Sequence, residues 1–179
     1  TEADELKSVQ KWVMTEDSGR GWRRIVPSPL PTRIIQKDMI KQLTQEGHIV
    51  VAVGGGGIPI WKNKTNDYEG IEAVIDKDLA SALLAVEIRA HMFIILTTVP
   101  KVYINYGKPG QKALDKVSLT QMKEYLAQGH FGVGSMKPKI EAAISYLADA
   151  DGAVIITSAE RLAAAAEKGT LAVLSRISG

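Results

Sequence analysis

The stretch from Ile49 to Asp78 reads IVVAVGGGGIPIWKNKTNDYEGIEAVIDKD. A buried strand is predicted at 49–53, and it runs directly into four consecutive glycines at 54–57. Glycines after a strand let backbone N–H groups approach an anionic ligand without obstruction by Cβ atoms. A flexible turn is the alternative, but ordering four glycines is costly, so the run favours a phosphate-binding loop.

The end of this stretch adds charge to the predicted site. Asp76, Lys77 and Asp78 follow a second apolar run, at the predicted start of a helix over 76–86. A lysine neutralises phosphate oxygens, and a neighbouring carboxylate orients it or contacts a metal. The triplet therefore suits phosphoryl transfer.

Composition excludes several classes of function. The chain has 179 residues, 45% of them hydrophobic, and a net charge of +2. Without a basic stripe interleaved with aromatic residues, we expect no nucleic-acid partner. The absence of cysteine excludes disulfide scaffolds and thiolate metal sites and fits a cytoplasmic protein. No apolar run approaches the roughly 18 residues of a membrane span, so we expect neither a membrane nor an export segment.

Strands and helices are predicted to alternate along the chain. The predicted strands after the glycines lie at 92–97, 102–106, 153–156 and 171–174, and the predicted helices lie at 1–14, 36–46, 76–86, 119–128, 134–147 and 159–168. The polar stretch 61–70 is predicted to be a mobile surface loop. This order indicates an α/β fold with a mainly parallel sheet flanked by helices on both faces.

A second candidate anion site is GSMKPK, from Gly134 to Lys139, at the start of a predicted helix. Helix N–H groups attract anions, and Lys137 and Lys139 add mobile charge. Surface solubility is the alternative role for two such lysines. A P-loop is disfavoured because GGGGIPIW lacks the Gly-Lys-Ser/Thr ending.

Six ordered motifs carry a family resemblance: DSGRGWRRIVPSP at 17–29, VGGGGIP at 53–59, EAVIDKDLAS at 72–81, INYGKP at 104–109, GHFGVGSMKPKIEAA at 129–143 and IITS at 155–158. The sequence resembles the carbamate kinases of the amino acid kinase superfamily over nearly its whole length. The resemblance implies an amino acid kinase-like fold and reversible phosphoryl transfer from ATP to carbamate, giving ADP and carbamoyl phosphate. It further implies ATP formation in arginine catabolism, Mg²⁺ bound mainly through nucleotide phosphates, and a cytoplasmic homodimer.

The resemblance also implies roles for individual residues. Lys77 and Lys139 resemble the lysines that contact the transferring phosphate and the nucleotide, and Asp78 resembles the aspartate that orients them. The implied nucleotide- and phosphate-binding residues are Gly54, Gly55, Gly56, Gly57, Asp76, Thr97, Tyr103, Tyr106, Gly134, Ser135, Met136 and Pro138. For Tyr103 and Tyr106 a core or interface role is equally compatible with the sequence. No protein ligand for a metal is predicted.

The family's LGGNA-like and HGNGPQVG-like motifs do not occur in this sequence. The resemblance therefore implies that residues 1–35 are the end of a protruding subdomain and its connecting segment. Residues 36–179 would be the C-terminal ATP/ADP-binding domain, with the N-terminal carbamate-binding half absent. Three alternatives stay open: a nucleotide-binding fragment without catalysis, an amino acid kinase with another acceptor, and a structural or regulatory module that kept the fold.

Overall fold

Two compact units divide the chain in the computed structural model, which describes residues 2–16, 19, 21–168 and 174–175. The first unit comprises residues 1–30 and 58–75, and the second comprises 31–57 and 76–179. The sequence placed residues 58–75 in the second domain. They belong with the first unit because Val74 N–H donates to the Pro27 carbonyl at 3.0 Å and Arg24 pairs with Glu72 at 2.5 Å.

Within the described residues, the first unit consists of one helix and two antiparallel hairpins. Its elements are α1 (Glu2–Val9), β1 (Val13–Glu16) paired with β2 (Trp22–Ile25), and β3 (Ile60–Lys62) paired with β4 (Tyr68–Gly70). The prediction that helix one reaches Met14 is wrong. Lys11 adopts φ +53°, which ends the helix before β1 begins.

The predicted mobile loop at 61–70 is instead the β3–β4 hairpin. Its turn is held by Asn63, whose Oδ1 accepts from the backbone N–H groups of Thr65 and Asp67 at 3.0 and 2.9 Å. Asn66 occupies the left-handed region at φ +70°, which asparagine tolerates better than most residues. A run of polar turn formers therefore closes a hairpin here.

The second unit contains five helices and a four-stranded sheet within the described residues. Its helices are α2 (Lys37–Gln45), α3 (Lys77–Glu87), α4 (Leu119–Ala127), α5 (Met136–Asp149) and α6 (Ala159–Lys168). Its strands are β5 (Met92–Leu96), β6 (Val102–Ile104), β7 (Lys112–Leu114), β8 (Val117–Ser118), β9 (Ala153–Thr157) and β10 (Leu174–Ser175). The sheet order is β5-β9-β10-β8, and β6 and β7 form a separate antiparallel hairpin. This arrangement confirms the predicted α/β class, while residues 171–173 of the last predicted strand lie outside the described residues.

The core of the second unit lies where α3 and α5 pack on β5 and β9. Ala82 and Ala143 are fully buried there, and such small side chains let helix backbones approach closely. Tyr146 of α5 donates its hydroxyl hydrogen to the Ala90 carbonyl. A Cβ at position 152 would lie 2.0 Å from the Tyr146 hydroxyl oxygen, so only glycine fits there.

The predicted strand at 49–53 does not form among the described residues. Ile49 and Val51 are 98% and 94% exposed, and no described strand pairs with this segment. A β-strand is stabilised by hydrogen bonds to a neighbouring strand, which the apolar pattern alone does not supply. Within the described part of the chain, no helix is long and apolar enough to cross a membrane.

Candidate functional site

The N-terminus of α3 positions two of the predicted charged residues. Asp76 is its N-cap, and its Oδ1 accepts from the backbone N–H groups of Asp78 and Leu79 at 2.8 and 3.1 Å. The adjacent Lys77 and Asp78 occupy the first turn of the helix. Asp76 therefore fixes the start of the helix that presents the other two side chains.

The N-terminus of α5 contributes the third residue. Lys139 lies in the first turn of this helix, and its Nζ donates to Asp78 Oδ2 at 2.8 Å. Lys137, two residues earlier, pairs instead with Glu141 on its own helix at 3.6 Å. The structure thus distinguishes Lys139, which pairs with Asp78, from Lys137, which pairs within its own helix.

Asp78 bridges both lysines. Its Oδ1 accepts from Lys77 Nζ at 2.7 Å while Oδ2 accepts from Lys139 Nζ. The side chains of Asp78 and Lys139 are 12% and 14% exposed, whereas that of Lys77 is 56% exposed. The Lys77–Asp78–Lys139 cluster therefore holds a nearly buried ammonium group and a more exposed one on a single carboxylate, with a net charge of +1.

The cluster fixes the protonation states of its members. Burial alone would raise the pKa of Asp78, but the hydrogen bonds from Lys139 and Lys77 outweigh it and lower that pKa below its ordinary value. The hydrogen bond to Asp78 raises the pKa of Lys77, against the opposing effect of burial. At neutral pH Asp78 is therefore ionised and Lys77 is protonated, as an anion-binding site requires.

A cavity of about 390 Å³ adjoins the same end of α5. Three segments line it: 97–99 after β5, 103–108 at the tip of the β6–β7 hairpin, and 129–136 between α4 and α5. Its volume falls within the range of small-molecule sites, and Tyr103, Tyr106 and Phe131 give it aromatic surface. The cavity can accommodate a planar, partly apolar ligand group.

Helix α5 connects the cavity with the lysine cluster. Met136 lines the cavity, and Lys139 lies three residues further along the helix, a rise of about 4.5 Å. Ser135 precedes the helix without making a side-chain cap. A ligand with an aromatic end in the cavity and an anionic end at the helix start would thus reach Lys139.

The structure brings together many, but not all, of the residues predicted for the site. Lys77, Asp78 and Lys139 form the cluster, Asp76 caps α3, and Thr97, Tyr103, Tyr106, Ser135 and Met136 line the cavity. Gly134 and Pro138 lie in the lining segment or the first turn of α5, but neither is a lining residue. The binding roles of all these residues remain predictions.

Among the described residues, no hydrogen bond or ion pair joins the glycine run to the cluster. Gly54 to Gly57 form a turn in which Gly56 N–H donates to the Val53 carbonyl at 2.8 Å. Gly56 and Gly57 have φ values of +96° and +86°, which explains the need for glycine at these two positions. The phosphate-binding role predicted for the run has no partner group in the described structure.

Several cavity residues were not named individually in the sequence analysis, although the segment 97–106, which contains Asn105, was expected to border the adenine and ribose. Asn105 and His130 both line the cavity, and their side chains are hydrogen bonded to each other. Asn105 lies in the motif INYGKP and His130 in the motif GHFGVGSMKPKIEAA, so both residues belong to motifs that carry the family resemblance. The pairing of the two residues was hidden because they are 25 positions apart in the sequence.

Comparison with known proteins places the chain in a family. The sequence profile described as "Amino acid kinase family" matches residues 4–158, which is most of the chain. The chain belongs to the amino acid kinase family. The match spans all three residues of the Lys77–Asp78–Lys139 cluster and every segment that lines the cavity.

Curated members of the amino acid kinase family support a closer likeness. The chain is 49% identical over 173 residues to the carbamate kinase-like protein YahI of Escherichia coli, covering 95% of this chain and 55% of that protein. It is 48% identical over 162 residues to a carbamate kinase of Staphylococcus haemolyticus, covering 90% and 52%. The chain therefore spans about half the length of these relatives.

Solved structures of the family show the same likeness. A structure described as carbamate kinase from Giardia lamblia bound to AMP-PNP has a TM-score of 0.87 and 38% identity. The alignment covers 97% of this chain and 55% of that one. The fold predicted from the sequence, an amino acid kinase-like α/β fold, is thus confirmed.

Proposed function

We propose that this chain carries the nucleotide-binding half of a carbamate kinase, which catalyses reversible phosphoryl transfer between ATP and carbamate. The observation that carries the proposal is Asp78 holding Lys77 and Lys139 beside a cavity of nucleoside size. The likeness to carbamate kinases supports carbamate as the acceptor. The reaction converts ATP and carbamate into ADP and carbamoyl phosphate, and the reverse reaction forms ATP.

The cluster suits phosphoryl transfer because this reaction needs positioned positive charge rather than a covalent nucleophile. Charge spreads over the equatorial oxygens of the phosphoryl group in the transition state. Lys139, fixed by Asp78 and nearly buried, would stabilise this charge with little reorganisation. Lys77 is more exposed and would follow the phosphate oxygens as they move.

Adenine and ribose would occupy the cavity, with the phosphates directed along the start of α5 toward Lys139. The Giardia lamblia carbamate kinase described with AMP-PNP supports an adenine nucleotide as the ligand. Mg²⁺ would accompany the nucleotide and be held mainly by phosphate oxygens and water. Among the described residues, no group of three or more His, Cys, Asp or Glu side chains is arranged to hold a metal ion.

The acceptor side of the site would need further protein. The relatives are nearly twice as long as this chain, and among the described residues no hydrogen bond joins the glycine run to the cluster. We assign carbamate binding to a separate N-terminal half, with the glycine run at the junction. The first unit would be the end of the protruding subdomain and the second the ATP/ADP-binding domain.

A nucleotide-binding protein without catalysis, or a family member with another acceptor, is the second candidate. The name of the Escherichia coli relative, a carbamate kinase-like protein, supports this second candidate. ATP formation in arginine catabolism, a cytoplasmic location and a homodimeric complete enzyme are further parts of our proposal. They rest on the resemblance to carbamate kinases.

The decisive experiment measures ATP formation from carbamoyl phosphate, ADP and Mg²⁺. The purified chain is assayed alone and after addition of the N-terminal half of the Staphylococcus haemolyticus carbamate kinase. We expect ATP formation only in the mixture, and loss of it when Lys139→Ala replaces the wild-type chain.

Two outcomes would change the proposal. Turnover by the chain alone, abolished by Lys139→Ala, would overturn the need for a second half. Absence of turnover in a mixture in which the two halves demonstrably associate would favour the second candidate.

A further inference from the structure

Two walls of the cavity come from separate parts of the chain. One wall is the tip of the β6–β7 hairpin, and the other is the loop between α4 and α5. The hairpin forms its own two-stranded sheet and is not hydrogen bonded to the four-stranded one. The width of the cavity therefore depends on contacts that hold the hairpin tip against the loop.

Val102 of the hairpin and Phe131 of the loop belong to the same buried core, and one side-chain hydrogen bond joins the two segments among the described residues. Nδ1 of His130, in the α4–α5 loop, lies 3.0 Å from Oδ1 of Asn105, at the hairpin tip. The His130 ring is itself fixed, because Nε2 lies 2.9 Å from Oε1 of Gln128 and Tyr125 packs edge-on at 5.8 Å between ring centroids. The side chain of His130 is thus held in place by its own neighbours and can position the tip of the hairpin.

The conformation of Asn105 is also defined by its backbone. Its φ of +52° lies in the left-handed region, where asparagine is tolerated better than most residues with a Cβ. Its carbonyl accepts from Lys108 N–H at 3.0 Å, and its Nδ2 lies 3.4 Å from the Gly110 carbonyl. Asn105 therefore organises the turn that carries Tyr106 into the cavity.

We propose that His130 is a positioning residue for nucleotide binding, acting through Asn105 to set the separation of the two cavity walls. The inference rests on the proposed function for the identity of the ligand. His130 binds no phosphate and takes no part in the transfer step. Its contribution is to hold the hairpin tip where the cavity fits the nucleoside.

The test measures ADP binding to the purified chain by calorimetry. His130→Ala is expected to weaken ADP binding about tenfold, the effect of one lost hydrogen bond. His130→Asn, whose amide nitrogen lies near the position of Nδ1 and can still donate to Asn105, should recover most of the affinity. His48→Ala, which removes an exposed histidine outside the cavity, is the matched control and should bind as the wild type does.

A double-mutant cycle distinguishes coupling from independent damage. Asn105→Gly keeps the left-handed backbone accessible but removes the amide. If His130 acts through Asn105, the double variant should bind ADP no more weakly than either single variant. Fully additive losses, or wild-type affinity in His130→Ala, would overturn the proposal.

A measurement without ligand separates this proposal from the proposed function. His130→Ala should speed amide hydrogen exchange at residues 105–111 and leave α3 unchanged, because only the hairpin tip loses its attachment. If the wild-type chain fails to bind ADP, the proposed function is refuted, while exchange still decides whether His130 positions the tip. Unchanged exchange at 105–111 in His130→Ala would refute the positioning role even if ADP binds.

Discussion

Two five-residue apolar segments of this chain have similar sequences and opposite environments. β9 reads AVIIT and is central in the four-stranded sheet, between β5 and β10, with Ile155 fully buried. The segment 49–53 reads IVVAV, yet Ile49 is 98% exposed and no described strand pairs with it. The difference lies in the neighbours, since apolar residues form a stable strand only where a partner strand and a covering layer exist.

The same contrast separates the two parts of the candidate site. The Lys77–Asp78–Lys139 cluster and the cavity both lie within the second unit, where α3 and α5 supply the cluster and residues 97–99, 103–108 and 129–136 line the cavity. The glycine run follows the unpaired segment, and among the described residues no hydrogen bond or ion pair joins it to either. In our proposal the second unit therefore holds the nucleotide site, and the glycine run belongs to the acceptor side.

The largest expected effect concerns Lys139. In the complemented mixture of the two halves, Lys139→Ala should lower ATP formation by about 100-fold or more, because a preorganised charge at the transferring phosphate is lost. Lys137→Ala is the matched control, since this lysine is two residues away and pairs with Glu141. Equal activity in the two variants, measured by coupled ATP detection, would contradict the role of the cluster.

The comparison of the two apolar segments can be tested with one isoleucine from each. Ile155→Ala should lower the free energy of unfolding by about 3 kcal/mol, because it leaves a cavity in a fully buried position. Ile49→Ala should change it by less than about 0.5 kcal/mol, since the side chain is already in water. Urea denaturation followed by circular dichroism gives both values, and similar losses would mean that 49–53 is buried in solution.

A smaller, pH-dependent effect is expected from Asp78. Asp78→Asn should cost about 2 kcal/mol of unfolding free energy at neutral pH, because both lysines lose their ionised partner. The folded pKa of Asp78 lies below the ordinary value of about 3.9, so its contribution is present above that value and is lost as pH falls through the folded pKa. The difference between wild type and variant should therefore be constant near neutrality and shrink below about pH 4.

Asp115→Asn is the control for this experiment. Lys101 also lowers the pKa of Asp115, but this carboxylate is fully exposed, and solvent screens the pair. Its replacement should cost much less stability than Asp78→Asn. A stability difference for Asp78→Asn that persists unchanged into acid would show that the loss is not electrostatic.

The smallest expected effect lies at the start of α4. Ser118 forms a capping box with Gln121. Ser118→Ala should lower the free energy of unfolding by about 1 kcal/mol. Ser118→Asp, which keeps a capping acceptor, should restore most of it, and failure to do so in urea denaturation would mean that the cap is not the cause.

Local signals in the sequence predicted most helices of the second unit. The acidic start of α3 and the apolar periodicity of α5 are properties of neighbouring residues, so they appear in a short window. The pairing of Lys139 with Asp78 followed from the family resemblance, since 61 residues separate them. Periodicity alone could not have supplied it.

The errors arose where tertiary partners decide the outcome. Residues 49–53 are exposed because no described strand pairs with them. A short window of sequence does not show whether such a partner strand is present. The β3–β4 hairpin was hidden because its strands are only three residues long and carry polar residues. The His130–Asn105 pair was not predicted, because its two residues are distant in sequence and come together only in the folded chain. Without the family resemblance, the Lys139–Asp78 pair would have been missed for the same reason.

The most direct test of the account is calorimetric titration of ADP into the purified chain by itself. We predict binding of one ADP per chain, weakened by Lys139→Ala and unaffected by Lys137→Ala, because the proposed nucleotide site lies within the second unit. Absence of ADP binding to the folded wild-type chain, or equal weakening by the two lysine variants, would contradict the claim that this chain holds the nucleotide site.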